Sequence, residues 1–198
     1  MSLRRSDHIA TRLLPEVFAG IEADSPLTVV DLGPGCAATL NFLGRYRAKV
    51  FFADLPSCLP LAAGAYQEDD RDNLIRIARE HIGLAEDTRV DICLLWDYLH
   101  LLDTPRLEVL SAALAPHVHR GSRAHGFGAL HSNRPPDIGH FGIADLHHLT
   151  PLTSDAPFAP QSYHTHTQMH IAEHFTCFRI ARGTLLQEGR LEILFEAS

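Results

Sequence analysis

The sequence predicts an α/β fold whose doubly wound, mostly parallel sheet ends in an antiparallel C-terminal β-hairpin. Short, wholly apolar segments alternate with segments of helical periodicity, and a glycine-rich turn joins the first of these strands to a helix. Two further runs of strand character close the chain. Wholly apolar strands are typical of a parallel sheet that is covered by helices on both faces.

The composition is that of a globular protein with a sizeable core. A chain of 198 residues is most simply one domain over 1–198. The formal net charge of −7 argues against a nucleic-acid partner, because phosphate binding needs clustered Lys and Arg. No apolar run approaches the ~20 residues of a membrane span, and no signal-peptide segment is evident. Because the four cysteines are widely spaced and indicate free thiols, we expect a cytoplasmic protein without a membrane partner.

The first 24 residues are predicted to form helices. Apolar residues recur at i+4 spacing within 7–22, from Ile9 to Ile21, and give one apolar helix face. Pro15 should divide this segment into a short helix and a second helix that begins near the proline.

A strand–turn–helix–strand unit follows. Residues 28–32 form an apolar strand that contains Asp31, Gly33-Pro34-Gly35 is the turn, and residues 49–54 form a second apolar strand that ends at Asp54. The residues between them show helical spacing, so this is a βαβ unit with a right-handed crossover. A glycine turn before a helix suits the polar part of a nucleotide-like ligand.

The later elements continue the alternation. We predict a helix over 71–82 with Asp70 as its N-cap, a strand over 91–96, a helix with Thr104 as cap and Pro105 after it, and a strand over 122–130.

The structure of the C-terminal third is predicted from the positions of its Pro and Gly residues and of its turn. Residues 131–163, rich in Pro and Gly, are predicted to be a long loop or lid. A helix near 164–174 follows, and 175–186 and 190–196 form a hairpin around the turn at 187–189.

The glycine turn fits two kinds of ligand unequally. Residues 33–38 match the G-x-G-x-x-G/A dinucleotide fingerprint, and Asp54 follows at about the distance of a ribose-binding acid. Asp31, however, would lie near a pyrophosphate and repel it. A ligand without phosphate therefore fits better.

Several motifs resemble those of the class I S-adenosylmethionine-dependent methyltransferases. Residues 31–35, Asp-Leu-Gly-Pro-Gly, resemble motif I, and Asp54 matches the acid that ends the family's second strand. Residues 91–102 resemble its fourth-strand motif, and 114–122 are similar to its helix-to-fifth-strand junction. The terminal hairpin resembles its sixth and seventh strands. The resemblance implies a Rossmann-like fold, in which the third strand would be degenerate or replaced by a helix within 55–90.

The resemblance also implies a cofactor and its contacts. S-adenosylmethionine is a sulfonium cation, which nearby carboxylates attract. The glycine turn would approach its methionine part, Asp31 would help to orient its amino group, and Asp54 would accept hydrogen bonds from the ribose hydroxyls. The implied cofactor-binding residues are Asp31, Gly33, Pro34, Gly35, Asp54, Leu55, Leu95, Trp96 and Asp97.

The predicted function is methyl transfer to a small-molecule acceptor, aligned with the cofactor in a water-poor pocket. The negative charge and the lack of an appended recognition domain favour a small acceptor. His100 is the candidate general base, since imidazole titrates near neutral pH; a packed or solvated histidine is the alternative. The oligomeric state stays open, with a homodimer among the options.

Histidines are concentrated late in the chain, with eleven of fourteen at or after residue 117. His166, His170 and His174 would share one helical face and are candidate metal ligands, with a solvated helix as the alternative. Further histidines flank the last parallel strand and the long loop, where the ligand crevice of such folds lies, and are candidates for contact with the acceptor or a metal. They are His117, His119, His125, His131, His140, His147 and His148.

Other functions remain compatible with the sequence. The chain could be a catalytically inactive methyltransferase-like binding or regulatory protein, or a metal-binding protein that uses its histidine-rich C-terminal region. A nicotinamide enzyme is the least favoured reading.

Overall fold

The computed structural model describes residues 8–58, 61, 70–130, 139–152, 163–187 and 189–198. Its strands are β1 (Ile9–Ala10), β2 (Pro26–Asp31), β3 (Arg47–Phe52), β4 (Val90–Trp96), β5 (Val118–Gly128), β6 (His140–Asp145), β7 (His148–Leu152), β8 (Phe178–Leu185) and β9 (Leu191–Ala197). Its α-helices are α1 (Leu14–Val17), α2 (Ala37–Leu43), α3 (Arg71–Ile82), α4 (Thr104–Leu114) and α5 (Gln168–His174).

The main sheet has six strands in the order β3-β2-β4-β5-β9-β8. The first four are parallel, whereas β9 runs antiparallel to both β5 and β8. Central strands β2 and β4 are almost wholly buried, as their continuous apolar runs predict. The predicted α/β fold with parallel and antiparallel strands is confirmed.

The parallel strands bring acidic residues to one edge of the sheet. Asp31 is the last residue of β2, Asp97 directly follows β4, and Asp54 follows β3 after one intervening residue. Because carboxyl ends of parallel strands share an edge, all three side chains border the crevice where α/β sheets bind ligands.

The helices over 71–82 and from residue 104 form as predicted, but their N-caps differ. Asp70 makes no side-chain cap bond. At α4 the cap is Asp103, not Thr104: its carboxylate accepts a hydrogen bond from the Arg106 N–H at 3.0 Å. Aspartate is as good a cap as threonine, and Pro105 then occupies the first turn, where no N–H is needed.

Within the described residues 8–22, the predicted helix is wrong outside a single turn; residues 1–7 of the predicted N-terminal helices lie outside the described residues. Ile9 and Ala10 pair antiparallel with β7, with Ile9 opposite Leu149, and α1 has only four residues. Pro15 lies in the first turn of α1, and a proline there prevents the helix from extending backward because it clashes with the preceding turn. The residues before it are therefore available for strand pairing.

The long loop predicted over 131–163 contains a β-hairpin. β6 and β7 pair antiparallel, and with β1 they form a second sheet in the order β1-β7-β6. Its apolar side chains Phe141, Ile143 and Leu149 are buried. This burial stabilises strands in a segment whose Pro and Gly residues predict a loop. The rest of the predicted loop, 131–138 and 153–162, lies outside the described residues.

The region between Asp54 and β4 is described at 55–58, 61 and 70–89. It holds a 3-10 turn, Leu55–Ser57, and helix α3, and within these ranges no strand extends the sheet beyond β3. The degenerate third strand stays a prediction.

Strand β6 crosses the first turn of α2 at very short range. A Cβ added at Gly142 would lie 2.7 Å from Cys36 Sγ and 2.9 Å from Ala38 Cβ. The Ile143 N–H also donates to Thr39 Oγ1 at 3.2 Å. The second sheet is thereby fastened over the start of α2, beside the glycine turn.

Gly142→Ala is expected to lower the free energy of unfolding by about 1–3 kcal/mol, because the added methyl group forces β6 away from α2. Urea denaturation measures this change. Gly121→Ala is the matched control: its Cβ would approach only the movable ring of His119, at 3.2 Å. Equal, small effects at the two positions would contradict the close packing.

Candidate functional site

Asp31 is the buried centre of the site, with 1% of its surface exposed. One carboxylate oxygen, Oδ1, accepts two hydrogen bonds, from the Gly33 N–H at 2.8 Å and from the Trp96 indole N–H at 2.7 Å. Burial raises the pKa of Asp31 to about 7, although both hydrogen bonds act in the opposite direction. A cation placed nearby would favour its ionised form.

The glycine turn packs tightly against its neighbours. A Cβ at Gly33 would lie 3.1 Å from Asp31 Oδ1 and from both the ring and the hydroxyl of Tyr98, and one at Gly35 would lie 3.3 Å from the Phe52 ring. Pro34 between them is half-buried. The turn therefore needs glycine for close approach, as the motif predicts.

Asp54 is held in an unusual backbone conformation beside this turn. Its φ is +39°, in the left-handed region that non-glycine residues rarely adopt. Its N–H donates to the Gly33 carbonyl at 3.2 Å, and its carboxylate accepts from Ser57 Oγ at 2.6 Å. The side chain is half-buried, and Leu55 behind it is buried.

Asp97 is buried in an ion pair with Arg190, which lies just before β9. Its Oδ2 also accepts a hydrogen bond from the Gly139 N–H at 3.0 Å. Burial raises the pKa of Asp97, and the Arg190 charge opposes that shift. The Arg190 guanidinium lies 5.0 Å from the Phe127 ring centre and 5.1 Å from that of Phe141.

Trp96 and Leu95 are fully buried, so their predicted cofactor contact would have to come through a small part of their surface. Trp96 has a φ of +50°, which turns the chain at the end of β4 and lets the indole reach Asp31 on the neighbouring strand.

A tyrosine–histidine pair lies close enough to the carboxylates to feel their charges. Tyr98 Oη and His140 Nδ1 are 2.7 Å apart. Burial raises the pKa of Tyr98, and the charges of Asp31, Asp97 and Asp54 raise it further. Burial lowers the pKa of His140, while Asp54 and Asp97 oppose that shift.

His100, the predicted general base, is entirely buried. Its Nδ1 lies 3.1 Å from the His164 carbonyl oxygen and 3.2 Å from the His166 backbone nitrogen. Burial lowers its pKa to about 4, so it stays neutral and is a weak base. These contacts favour a structural role, and the catalytic role stays a prediction.

The metal site predicted at His166, His170 and His174 is contradicted by the geometry. Helix α5 begins only at Gln168, so His166 lies outside it. The His166 and His170 rings are stacked with centres 4.8 Å apart, and the His170 and His174 rings are tilted by 45° with centres 4.5 Å apart. Their nitrogens instead face Leu102 O at 2.7 Å, Thr104 Oγ1 at 3.0 Å and Glu108 Oε1 at 2.8 Å. Over the described ranges, no group of three or more His, Cys, Asp or Glu could hold a metal ion.

His166 makes the stability depend on pH. Burial lowers its pKa from 6.5 to about 4, so the unfolded chain gains a proton between these pH values that the folded chain does not. Stability must therefore fall as the pH drops through this window. From pH 7.5 to 5, wild type is expected to lose about 1–2 kcal/mol more than His166→Gln, which keeps a donor toward Leu102. Urea denaturation at both pH values, with exposed His148→Gln as control, measures the difference; identical losses in His166→Gln and wild type would refute this role.

Tyr98 and Arg190 are site residues that sequence reasoning missed, and His140 was only one of several flanking histidines. Tyr98 directly follows Asp97, which could have indicated it. Arg190 is 93 residues from its partner Asp97, and no local pattern indicates such a contact.

Comparison with known proteins supports the fold. No protein-family model matches the sequence, and no curated protein matches it. The mitomycin 7-O-methyltransferase MmcR has a similar structure, with a TM-score of 0.50 at 15% identity over 94% of this chain and 54% of its own. The chain has the class I methyltransferase fold.

Two other solved structures show weaker similarity. They are the pyocyanin biosynthetic protein PhzM, with a TM-score of 0.48 and 15% identity over 93% of this chain, and the glycopeptide N-methyltransferase MtfA bound to S-adenosylmethionine, with 0.49 and 11% over 93%. The chain spans 54% of PhzM and 94% of MtfA.

No helix among the described residues has the length and apolar character needed to cross a membrane.

Proposed function

We propose that this protein binds S-adenosylmethionine and transfers its methyl group to a small-molecule acceptor. The observation that carries the proposal is the convergence of Asp31, Asp54 and Asp97 around the glycine turn, at the carboxyl edge of three adjacent parallel strands. The methyltransferase fold is consistent with it.

The residues at this edge fit the cofactor chemically. Carboxylates attract a sulfonium and an ammonium group and accept hydrogen bonds from ribose hydroxyls, but they repel a pyrophosphate. The nearby cation Arg190 is paired with Asp97. The site is therefore better suited to S-adenosylmethionine than to a dinucleotide.

Each residue has a distinct task in this proposal. Asp54 would bind the ribose hydroxyls, and the turn from Gly33 to Gly35 would approach the methionine part. Asp31 and Asp97 would set a negative potential around the sulfonium and amino groups. When bound, the cofactor supplies an electrophilic methyl group; the chain's own residues orient the reactants and exclude water.

The proposal also covers the domain organisation, the location and the partners of the protein. We propose one domain over 1–198, since the two sheets share one buried apolar cluster. The described cysteines are free thiols, which supports a cytoplasmic location. A small-molecule substrate, no nucleic-acid or membrane partner and an open oligomeric state, including a homodimer, complete the proposal.

A catalytically inactive binding protein is the second candidate. It is favoured by the close cover over the turn, where Tyr98 packs on Gly33 and β6 on α2. Such cover leaves the methionine subsite dependent on movement of these groups.

Titration calorimetry with S-adenosylmethionine tests the proposal. Wild type is expected to bind it, and Asp54→Asn to bind at least about tenfold more weakly, a loss of about 1.4 kcal/mol. Exposed Asp87→Asn is the matched control and should bind as wild type does. Absence of binding at millimolar cofactor would exclude the function, and binding without transfer of a labelled methyl group to any compound of a cell extract would favour the second candidate.

A further inference from the structure

We propose that the protein binds a small phosphate-bearing molecule in a cavity lined by Arg120, Arg123 and Arg179. This inference goes beyond the proposed function and does not depend on it. The cavity has a volume of about 530 Å³, which lies within the range of small-molecule sites.

The cavity lies at the opposite edge of the main sheet from the glycine turn. It is formed where β5 begins and β9 ends, and Val118 at the start of β5 pairs with Val90 at the start of β4. The glycine turn instead follows the carboxyl end of β2. Because the seven residues of β4 span roughly 20 Å between these edges, the cavity is separate from the crevice proposed for the cofactor.

A bulge in β5 forms one wall of the cavity. On β4, Asp91 is the single residue between the pairs Val90–Val118 and Ile92–Arg123, whereas on β5 residues 119–122 lie between them. The extra residues displace this part of β5 from regular pairing, as bulges beside binding sites do. Arg120 belongs to the bulge, and its exposed side chain lines the cavity.

Side-chain hydrogen bonds hold the bulge in one conformation. His119 Nε2 lies 3.0 Å from Asp91 Oδ1, and the His119 N–H donates to Ser122 Oγ at 2.8 Å. The buried Ser122 hydroxyl donates in turn to the Val90 carbonyl at 2.6 Å. The backbone that carries Arg120 is therefore fixed before a ligand arrives, which lowers the entropy lost on binding.

The three guanidinium groups give the cavity a positive charge. Within the described part of the chain, no carboxylate forms an ion pair with Arg120 or Arg123. Arg123 Nη1 donates to the Ala19 carbonyl at 2.6 Å, and this neutral group fixes the guanidinium without cancelling its charge. Arg179 pairs with Glu196. Even with the carboxylates of Glu196 and of Ser198, which also lines the cavity, the three arginines leave a net positive charge.

This charge and geometry suit a phosphate group. Guanidinium forks donate paired hydrogen bonds to phosphate oxygens, and a dianion can engage more than one fork. In a protein whose net charge is −7, a cationic cavity is a local reversal of the field and concentrates anions there. The arginines line one cavity rather than a long surface stripe, which favours a small phosphate monoester over nucleic acid.

Nuclear magnetic resonance of ¹⁵N-labelled protein tests the site with inorganic phosphate as the probe, at pH 7.5 and constant ionic strength. The Gly121 amide should shift in a saturable way with a Kd at or below about 1 mM, while the Gly33 and Gly35 amides stay unchanged. Failure to saturate by about 20 mM phosphate would overturn the proposal, as would shifts confined to Gly33 and Gly35.

Acetate, which carries a single charge, tests the preference for phosphate in the same experiment. It should bind at least about tenfold more weakly, because it offers fewer oxygens and less charge to the three guanidinium groups. Equal affinities for acetate and phosphate would refute a phosphate site.

Arg120→Gln tests the role of the bulge. Its phosphate affinity should fall at least about fivefold, whereas its stability in urea should equal that of wild type, because the exposed Arg120 supports no other described group. Arg76→Gln is the matched control: it removes the same charge from an exposed side chain on α3, and should bind phosphate as wild type does. Wild-type affinity in Arg120→Gln would overturn the proposal, and so would equal losses in the two variants, which would reflect net charge alone.

Discussion

Replacing Asp31 by alanine is expected to lower the free energy of unfolding by about 2–4 kcal/mol at pH 6 and to abolish cofactor binding. The substitution leaves two buried donors, the Gly33 N–H and the Trp96 indole N–H, without their acceptor. Each buried unsatisfied donor lowers the stability by about 1–3 kcal/mol. Urea denaturation and calorimetry with S-adenosylmethionine measure the two effects.

Asp31→Asn separates the hydrogen bonds from the charge. Both donors bind the same oxygen, Oδ1, so an asparagine carbonyl can accept both hydrogen bonds. We expect this variant to fold as stably as wild type at pH 6 but to bind the cofactor at least about tenfold more weakly. If Asp31→Asn binds as wild type does, the charge of Asp31 has no part in recognition.

The pH dependence of the stability of wild type and of Asp31→Asn gives an independent check. The pKa of Asp31 is about 7 in the folded chain against an ordinary value of 3.8, so the folded state keeps a proton that the unfolded state releases. This carboxyl therefore contributes stability at low pH that is lost as the pH rises from about 4 to 7. Between pH 5 and 8, the free energy of unfolding of Asp31→Asn should therefore rise by about 2–4 kcal/mol relative to that of wild type.

Glu192→Ala should lower the free energy of unfolding by about 3–5 kcal/mol, because Glu192 joins three parts of the chain inside the core. Its carboxylate accepts hydrogen bonds from His125 Nε2 at 2.7 Å, from the Arg12 N–H at 2.8 Å and from the Thr11 hydroxyl. Burial alone would raise the pKa of Glu192, but these bonds and the His125 charge together lower it. The stability it provides is thus present above pH 4.5 and lost as the pH falls through the lower, folded-state value.

Urea denaturation at pH 7 measures the loss, and hydrogen exchange should show β1 and β7 opening in Glu192→Ala. Glu196→Ala is the control on the same strand, since its pair with Arg179 is largely exposed and should be worth about 0–1 kcal/mol. A cost for Glu192→Ala as small as that of the control would mean that the buried carboxylate is dispensable.

The features that sequence reasoning predicted correctly are those encoded by neighbouring residues. The apolar runs of β2 and β4, the Asp31-to-Gly35 turn and helix α3 each carry their pattern within about a dozen positions. The carboxyl-edge position of Asp31, Asp54 and Asp97 then follows from parallel strands alone.

The features that were missed depend on contacts between distant segments. Ile9 becomes strand only because Leu149 offers it a partner, and its spacing alone resembles a helix. His166, His170 and His174 have metal-site spacing, but residues of α4 and of the turn before it contact one ring nitrogen of each. Glu192 has its partners 67 and about 180 residues away, beyond any local pattern.

The bond between Trp96 and Asp31 has a practical consequence. Trp96 is the single tryptophan of the chain, so all indole emission comes from a ring whose N–H points at this carboxyl. The fluorescence of the unmodified protein should titrate with Asp31 near neutral pH and change when a cation arrives beside it. The site thus carries its own optical reporter, and candidate ligands can be screened without a label or a known acceptor.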